Sequence, residues 1–526
     1  MKPIASALSI IALAFGLIAC SGGGGGGGGS SLAAFAVSTT SADFGVVNSA
    51  YASTLAATGG TAPFTWAVFG GILPAGLFLD ANTGIVTGTP TVAGNSTVDF
   101  NVTDSIGLTA TGSVLFAVHP RTDRISKDSN GTAGNGGSSL PSVSSTGELI
   151  AFVSTATNLV SGISGTQIYV HDWQTSQTSL VSRDSDPTVT NAGTGVSGAP
   201  SISGDGRLVA FVSSATNLVA SVSGQQIYVK DRQAGQTTVI SKSSGGVVGT
   251  GASSAPAISA DGRFVAFVSA STNLVAGVNG TQIYLHDRQT GQTTLVSKDN
   301  SATPAPGNGA SATPAISSDG QFVAFASLST NLGSLLNQQI YIHDRLSGPN
   351  GTTSLVSKET VGGTAGNGVS SDPTISGDGR FVAFVSGATD IVGGFSGQQV
   401  YLHDRNTGVN GTNSLISRDN SGVPNAGNQS SSAPSISSDG RYVAFTSLAT
   451  NLAASVSGQQ IYLHDRNGPT TSHVSKDNSL VPVPGNAASD IPSISGNGGF
   501  VSFTSQASNL LAGGVAPSDI YVRALP

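Results

Sequence analysis

The chain has 526 residues, enough for several domains, and only 9% of them are charged, against about 25% in typical globular domains. Its 71 glycines could indicate disorder, but recurring apolar stretches rich in Val, Ile, Phe and Tyr predict many short strands instead. The formal net charge of −7 is spread along the chain. The sequence shows no basic patch, which argues against nucleic acid as a partner.

The N-terminal segment predicts an export signal followed by a lipid anchor. An apolar run from Ile10 to Ala19 follows Lys2; it is too short for a membrane span and suits a signal peptide, which we place at residues 1–19. The single cysteine, Cys20, ends the stretch "LIAC", which resembles the bacterial lipobox. The resemblance implies cleavage before Cys20 and a diacylglycerol on its sulfur. The alternative is an ordinary signal peptide with an incidental cysteine.

Residues 20–31 predict a flexible tether between this anchor and the folded chain. They are almost entirely Gly and Ser, which form a coil about 20 Å across at this length. Ser21 stands where some inner-membrane lipoproteins carry Asp, which favours the outer membrane. We therefore expect the cell envelope membrane to be a partner through the lipid.

Residues 32–118 predict a small antiparallel β-sandwich with Trp66 and Phe100 in its core. The stretches "LPAGL" and "TGIVTGTPT" resemble the bacterial putative-Ig domain, which is related to cadherin-like modules. The resemblance implies a stalk or adhesion module. Cadherin-like relatives often bind calcium, so Asp80, Asp99 and Asp104 are candidate ligands, with roles in turns and strand ends as the alternative. No cofactor is otherwise required.

Residues 119–526 contain seven repeats of about 58 residues, each marked by an aromatic residue in a stretch such as "FVAFVS". The aromatic positions are Phe152, Phe211, Phe267, Phe325, Phe384, Phe445 and Phe503. Each repeat predicts four strands, as in Ala255–Ser259, Phe264–Ser269, Gln282–Asp287 and Thr293–Lys298. Four antiparallel strands per unit predict a β-propeller blade. The final repeat ends after its third strand.

The missing last strand has a matching copy ahead of the first repeat, "TDRISKD" at 122–128. We therefore predict an all-β chain in which a sandwich is followed by a seven-bladed propeller, closed by this N-terminal outer strand. An open solenoid is the alternative. The repeats "ISADGRFVAF" and "IYLHD" resemble the WD40-like PD40 repeat of TolB-type propellers. TolB itself differs in having six blades and its own N-terminal domain, so a role in the Tol–Pal system is not carried over.

The long loops of the repeats carry recurring asparagines that are candidates for a polar ligand-binding face. These candidates are Asn158, Asn217, Asn273, Asn308, Asn331, Asn367, Asn428, Asn451, Asn486 and Asn509. The alternative is hydrogen bonding within their own loops. A second recurring set, His171, His286, His343, His403 and His464, is interpreted as packing rather than as a metal site, because the histidines fall in separate blades.

No catalytic residues are predicted, because the sequence shows no nucleophile elbow, triad order or carboxylate pair. Blade-specific polar or aromatic residues are few: Trp173, Asp372, Asp390 and Asp490. We predict a non-enzymatic surface lipoprotein, monomeric, that binds or scaffolds a protein or glycan ligand. The alternative function is a propeller hydrolase acting on glycans or lactones.

Overall fold

The computed structural model describes residues 33–185, 191–333, 337–360, 362–393, 395, 397–421, 425–511 and 517–525. Apart from one 3-10 turn at Thr330–Leu332, the regular elements of this described chain are β-strands. The predicted all-β class is therefore confirmed. Cys20 and the Gly/Ser tether lie outside the described residues.

The N-terminal strands form a sandwich of two sheets. Its strands are β1 Ala36–Val37, β2 Gly45–Val46, β3 Tyr51–Thr54, β4 Ala57–Thr58, β5 Thr65–Gly70, β6 Leu77–Leu79, β7 Ile85–Gly88, β8 Gly94–Thr103 and β9 Thr109–His119. One sheet has the order β2-β9-β8-β5 and the other has β3-β7-β6, while β1 and β4 form a separate two-stranded pair. Alternate residues of β8 point inward and are buried with Trp66, and Phe100 among them is fully buried. The two predicted core residues are thus confirmed.

Seven four-stranded sheets follow. Blade one consists of β11 Ser138–Val143, β12 Leu149–Ser154, β13 Gln167–Asp172 and β14 Gln177–Leu180. Blade two consists of β15 Ser197–Ile202, β16 Leu208–Ser213, β17 Gln226–Asp231 and β18 Thr237–Val239. Blade three consists of β19 Ser253–Ile258, β20 Phe264–Ser269, β21 Gln282–Asp287 and β22 Thr293–Leu295.

Blade four consists of β23 Ser311–Ile316, β24 Phe322–Ser327, β25 Gln339–Asp344 and β26 Thr352–Leu355. Blade five consists of β27 Ser370–Ile375, β28 Phe381–Ser386, β29 Gln399–Asp404 and β30 Thr412–Leu415. Blade six consists of β31 Ser431–Ile436, β32 Tyr442–Ser447, β33 Gln460–Asp465 and β34 Thr470–His473.

The middle strands are apolar on both faces because each blade packs between two neighbours. In every blade the predicted aromatic anchor stacks on the tyrosine of the third strand, as Phe267 does on Tyr284 at 5.9 Å between ring centroids.

The seventh blade closes the ring with an N-terminal strand. Its sheet has the order β10-β37-β36-β35, where β10 is Thr122–Arg124, β35 Ser489–Ile494, β36 Phe500–Ser505 and β37 Asp519–Ala524. Thr122 pairs with Arg523 and Arg124 with Tyr521 in antiparallel register. The predicted closure is therefore confirmed, and the open solenoid is excluded.

The innermost strand of each blade starts earlier than predicted and contains a β-bulge. The third blade's inner strand is Ser253–Ile258, and its register shifts between Ser254 and Ala257. Ala255, just before Pro256, has a φ of +47°, and each of the other six blades has a non-glycine residue before proline with φ between +46° and +54°. A following proline disfavours the right-handed helical region, and the strand pairing across the bulge places this residue in the left-handed one.

The outer strand of each blade is covered by the chain that leaves the blade before it. In the fourth blade Asn300 Nδ2 donates to the Thr353 carbonyl oxygen, and the Thr353 N–H donates to Asn300 Oδ1. The same pair of hydrogen bonds joins Asn478 to Thr122 on β10. The side-chain amides thus form hydrogen bonds with backbone groups of the outer strand that could otherwise pair with another chain.

The sandwich docks on the propeller through Trp173. Trp173 packs against Phe44 and His119 of the sandwich and against Phe500 of blade seven, with ring centroids 5.5, 4.5 and 5.3 Å away. Its Nε1–H donates to Asp123 Oδ2 at 2.8 Å. Blades two to six carry arginine at this position: Arg232, Arg288, Arg345, Arg405 and Arg466. The blade-specific residue that the sequence singled out is therefore a contact between domains.

Candidate functional site: the long-loop face of the propeller

The propeller has one face of short turns and one of long loops. In each antiparallel blade, the turns from first to second and from third to fourth strand share a face. Trp173 and Phe500 lie at such turns, so the sandwich covers part of the short-turn face. The long-loop face therefore lies on the side of the ring opposite the sandwich.

The central channel narrows at the short-turn face. Small residues at the ends of the inner strands join neighbouring blades by backbone hydrogen bonds, for example Ser145 N–H to the Gly204 carbonyl at 2.9 Å. Further links run from Gly204 to Ala260, Asp261 to Ser318, Ser318 to Gly377, Gly377 to Ser438, Ser438 to Gly496 and Asn497 to Ser145. A Cβ on Gly204 would lie 2.8 Å from Ser145 Oγ. Only about 150 Å³ remains inside this ring.

The short-turn face also repeats one charge pattern. Arg263 of the Asp-Gly-Arg turn bonds to Asp287 at the end of the third strand, with Nη2 and Oδ2 at 2.7 Å. Arg207, Arg380 and Arg441 make the same pair in their blades. The Arg263 guanidinium holds the pKa of Asp287 well below its usual range. These arginines are 39–47% exposed, so each pair contributes about 1 kcal/mol or less and serves mainly to fix the turns.

The predicted ligand-face asparagines pair with their own blade's loops. In blade one the Asn135 N–H donates to Asn158 Oδ1 at 2.8 Å, and Asn158 Nδ2 donates to the Ala133 carbonyl at 2.8 Å. The corresponding pairs are Thr194 with Asn217, Thr250 with Asn273, Asn308 with Asn331, Asn367 with Asp390, Asn428 with Asn451 and Asn486 with Asn509. These side chains join the two long loops of a blade. Their contact with a ligand stays a prediction.

A polar groove, which we call the blade-three groove, lies between the long loop of blade three and the Asn308–Asn331 pair of blade four. It has a volume of about 520 Å³ and runs between Asn279–Gln282 and Pro306–Ala310. The side chain of Asn308, at the wall of the groove, donates a hydrogen bond from Nδ2 to Thr330 Oγ1. Asn279 is exposed and Thr281 half-buried, and neither side chain has a hydrogen-bond partner in the part of the chain that the structure describes. Blades two and six carry Ser and Gln at these two positions and blade one carries Ser164 and Thr166, so the combination of Asn279 with Thr281 is specific to blade three.

The recurring histidines are buried hydrogen-bond donors inside the blades. His286 Nδ1 lies 2.8 Å from Thr293 Oγ1, whose hydroxyl donates to the Lys242 carbonyl, so Nδ1 carries the proton. Burial lowers the pKa of His286 to about 4, which keeps the ring neutral at physiological pH. Lys230 and Arg523 replace histidine in blades two and seven and bond in the same way to Thr237 and Thr122. The position requires a donor, which explains why three residue types occupy it.

The acidic residues specific to single blades do not assemble into a site. Asp372 is exposed on an inner strand, Asp390 takes the place of asparagine in its loop pair, and Asp490 accepts from Thr446 Oγ1 at 2.9 Å. Among the described residues, no group of three His, Cys, Asp or Glu side chains could hold a metal ion.

The three calcium candidates of the sandwich have separate local roles. Asp104 is buried and accepts from the backbone N–H groups of Thr61, Ile106 and Leu108. Asp80 accepts from the Asn82 N–H, and Asp99 from the Ser113 hydroxyl. These contacts are those of turns and strand ends. Calcium binding stays a prediction.

The comparisons with known proteins identify the N-terminal module. Residues 33–119 match the family described as Putative Ig domain. This bears out the resemblance seen in the sequence for that segment. No curated protein matches the chain. Within the described part of the chain, no helix has the length and apolar character needed to cross a membrane.

Several solved structures resemble the propeller. The β-propeller domain of the trilobed protease from Pyrococcus furiosus is 13% identical, with a TM-score of 0.41, covering 70% of this chain and 88% of that one. The Cps50 (Swd1) propeller of Myceliophteria thermophila is 12% identical (TM-score 0.41; 77% and 100% covered). A periplasmic gluconolactonase of Pseudomonas aeruginosa is 13% identical (TM-score 0.35; 71% and 90% covered). None is informative about activity at this level.

Two features of the site were not anticipated from the sequence. Asn279 and Thr281 were not predicted as site residues, although Asn279 stands where blades one, two and six carry Ser. Arg124 stands where the other blades carry Leu, Val or His, and Asp519 stands where they carry Gln. The two residues form an ion pair in blade seven. Departures from the repeat were therefore the useful signal.

Proposed function

We propose that this protein is a lipid-anchored envelope protein whose propeller binds a polar, mainly uncharged ligand on its long-loop face. In this proposal Cys20 carries the lipid, residues 21–31 are the tether and the sandwich is a stalk. The repeats are related to the PD40 repeats of TolB-type propellers. The protein acts by binding rather than by catalysis.

The main support for this proposal is the orientation of the propeller relative to the sandwich. Ala33 lies beside Gly59, at the sandwich end where β9 begins, whereas His119 at the other end of β9 contacts Trp173. The 11 residues of β9 span about 35 Å at 3.4 Å per residue. An anchor ahead of Ala33 would therefore leave the long-loop face directed away from the membrane.

The chemistry of this face favours a neutral ligand with many hydroxyl or amide groups. The blade-three groove presents Asn279 and Thr281 together with backbone groups of its glycine-rich walls, and no charged side chain lines it. Such groups donate and accept hydrogen bonds directly or through water. A neutral glycan fits this description best, and a modest protein interface is the other outcome that a binding screen would reveal.

Replacing Cys20 with serine is expected to move the protein from the membrane to the soluble fraction, because the acyl chains on its sulfur supply the anchor. Fractionation of cells that express the parent and Cys20→Ser chains measures this. Ser30→Ala in the tether is the matched control and should stay with the membrane. Membrane association of Cys20→Ser equal to that of the parent would contradict the anchor.

The groove variant N279S/T281Q, which gives blade three the residues of blade two, is expected to weaken glycan binding about tenfold. It removes two groups that bond to the ligand, each contributing about 0.5–1.5 kcal/mol. A screen of the purified protein against neutral glycans, followed by calorimetry of the best one, measures the affinity. The reverse exchange S223N/Q225T in blade two is the control and should bind like the parent.

Two results would contradict the proposed face. One is unchanged binding by N279S/T281Q together with loss of binding when the Asp-Gly-Arg turns are altered. The other is a strong salt dependence between about 0.1 and 1 M, where the screening length falls from about 10 to about 3 Å. Turnover of a bound glycan or lactone would instead support the hydrolase alternative.

A further inference from the structure

A second cleft lies at the junction of the sandwich and the propeller. It has a volume of about 510 Å³ and is formed by Val47, Val92 and Pro120 on one side and by Leu480 and Pro482 on the other. Ligand sites commonly have volumes of about 300–1,000 Å³ and occur at domain interfaces. The Trp173 contact fixes the two walls relative to each other, so the cleft is preformed.

The loop that forms the propeller wall of this cleft carries apolar side chains that its fold does not require, and Leu480 among them lines the cleft. The loop Asp477–Pro484 has the same length as Asp299–Pro306 of blade three and the same hydrogen bonds: Asp477 Oδ1 accepts from the N–H groups of Ser479 and Val483. Asp299 Oδ1 accepts from its counterparts in the same way. Only the side chains differ, with Leu480, Val481 and Val483 in place of Ala302, Thr303 and Ala305.

These apolar side chains are exposed. Leu480 is 101% exposed, Val481 82% and Val92, across the cleft, 64%. The blade-three loop shows that small or polar residues build the same turn, so folding does not account for the apolar ones. Clustered exposed apolar residues commonly mark a binding surface.

The floor of the cleft is cationic. Arg121 and Arg523 line it with a single acid, Asp477, whose Oδ1 is held by its own loop. Burial and the neighbouring Arg121 lower the pKa of Arg523 to about 10, which leaves it charged at neutral pH. Its Nη1 donates to the Lys476 carbonyl at 2.9 Å. Arg121 Nε is buried and has no hydrogen-bond partner among the described residues.

We infer that this cleft binds a small amphiphilic anion, an apolar chain that ends in one carboxylate. The chain lies between Val92 and Leu480, and the carboxylate pairs with the Arg121 guanidinium, which offers two parallel donors to such a group. Binding at this site is independent of the long-loop face, since Asn478 and Arg523 of the cleft lie beside Thr122, at the short-turn end of blade seven.

Decanoate, used below its micelle concentration, tests the inference by calorimetry on the purified protein. We expect saturable binding of decanoate, with decanol and acetate each binding at least about tenfold more weakly. Decanol lacks the carboxylate, and a hydrogen bond to a charged group contributes about 1.5–3 kcal/mol. Acetate lacks the apolar chain. Arg121→Gln should weaken decanoate binding about tenfold and leave decanol unaffected.

A loop exchange separates recognition from folding. L480A/V481T/V483A gives this loop the residues of blade three and should weaken decanoate binding at least about fivefold while the melting temperature stays the same, because the loop's hydrogen bonds are retained. The opposite exchange, A302L/T303V/A305V, is the matched control and should bind like the parent. Absence of saturable binding, equal binding of decanoate and decanol, or full affinity in both Arg121→Gln and the loop exchange would overturn the inference.

Discussion

Deleting Arg121–Asp128 is expected to destabilise the propeller by about 5 kcal/mol or more and to cause aggregation. The segment contains β10, and its residues Thr122 to Ser126 are all at most 9% exposed. Loss of buried Ile125 costs about 2–5 kcal/mol, and loss of Arg124 leaves the Asp519 carboxylate buried without its partner, a further cost of about 3–5 kcal/mol. The deletion also leaves the edge of β37 unpaired.

Thermal unfolding and size-exclusion chromatography measure this effect. The matched control is deletion of the eight consecutive glycines at 22–29, which removes the same number of residues and should leave the melting temperature unchanged. A chain without 121–128 that melted with the parent and stayed monodisperse would contradict closure by β10.

Arg124→Leu is expected to cost about 3–5 kcal/mol of unfolding free energy, whereas the double variant R124L/D519Q should be within about 1 kcal/mol of the parent. Arg124 Nε lies 3.3 Å from Asp519 Oδ2, and both side chains are nearly inaccessible. The corresponding residues in blade three are Leu295 and Gln282, and Ser297 donates to Gln282 Oε1 as Ser126 donates to Asp519 Oδ1. The double variant therefore restores the arrangement of an ordinary blade.

The cost of Arg124→Leu should depend on pH. Burial raises the pKa of Asp519, whereas Ser126 and Arg124 lower it. A carboxyl with a folded pKa above its unfolded value contributes stability at pH below the unfolded value and loses it as pH rises through the folded value. Without Arg124 the folded pKa rises further, so the variant should be closer to the parent at pH 4 than at pH 8.

Chemical denaturation of the parent, the two single variants and the double variant at both pH values completes a double-mutant cycle. A coupling energy below about 1 kcal/mol would show that the pair does not hold the closing strand. With a large coupling energy, the ion pair has the role best attested for buried charges, which is to specify one register among alternatives. In this protein that register joins residues about 400 positions apart in the sequence.

The repeats made the blade architecture predictable from the sequence. Phe264–Ser269 and Gln282–Asp287 were predicted with the bounds that the structure shows, because both strands are continuous apolar stretches ended by turn residues. The inner strand was predicted two residues late, since the left-handed Ala255 within it depends on pairing across a bulge rather than on local preference. The position of β10 was predictable because only one unmatched fourth-strand sequence remained.

The sequence by itself determined the number of blades, the closing strand and the predominance of uncharged polar residues in the long loops, because each is a property of the repeat or of composition. Only the tertiary structure showed which contacts the residues that differ from the repeat make. Trp173 meets Phe44, and Leu480 faces Val92, through contacts between segments far apart in the chain. No local pattern encodes such pairings, because they depend on the angle at which the sandwich docks on the ring.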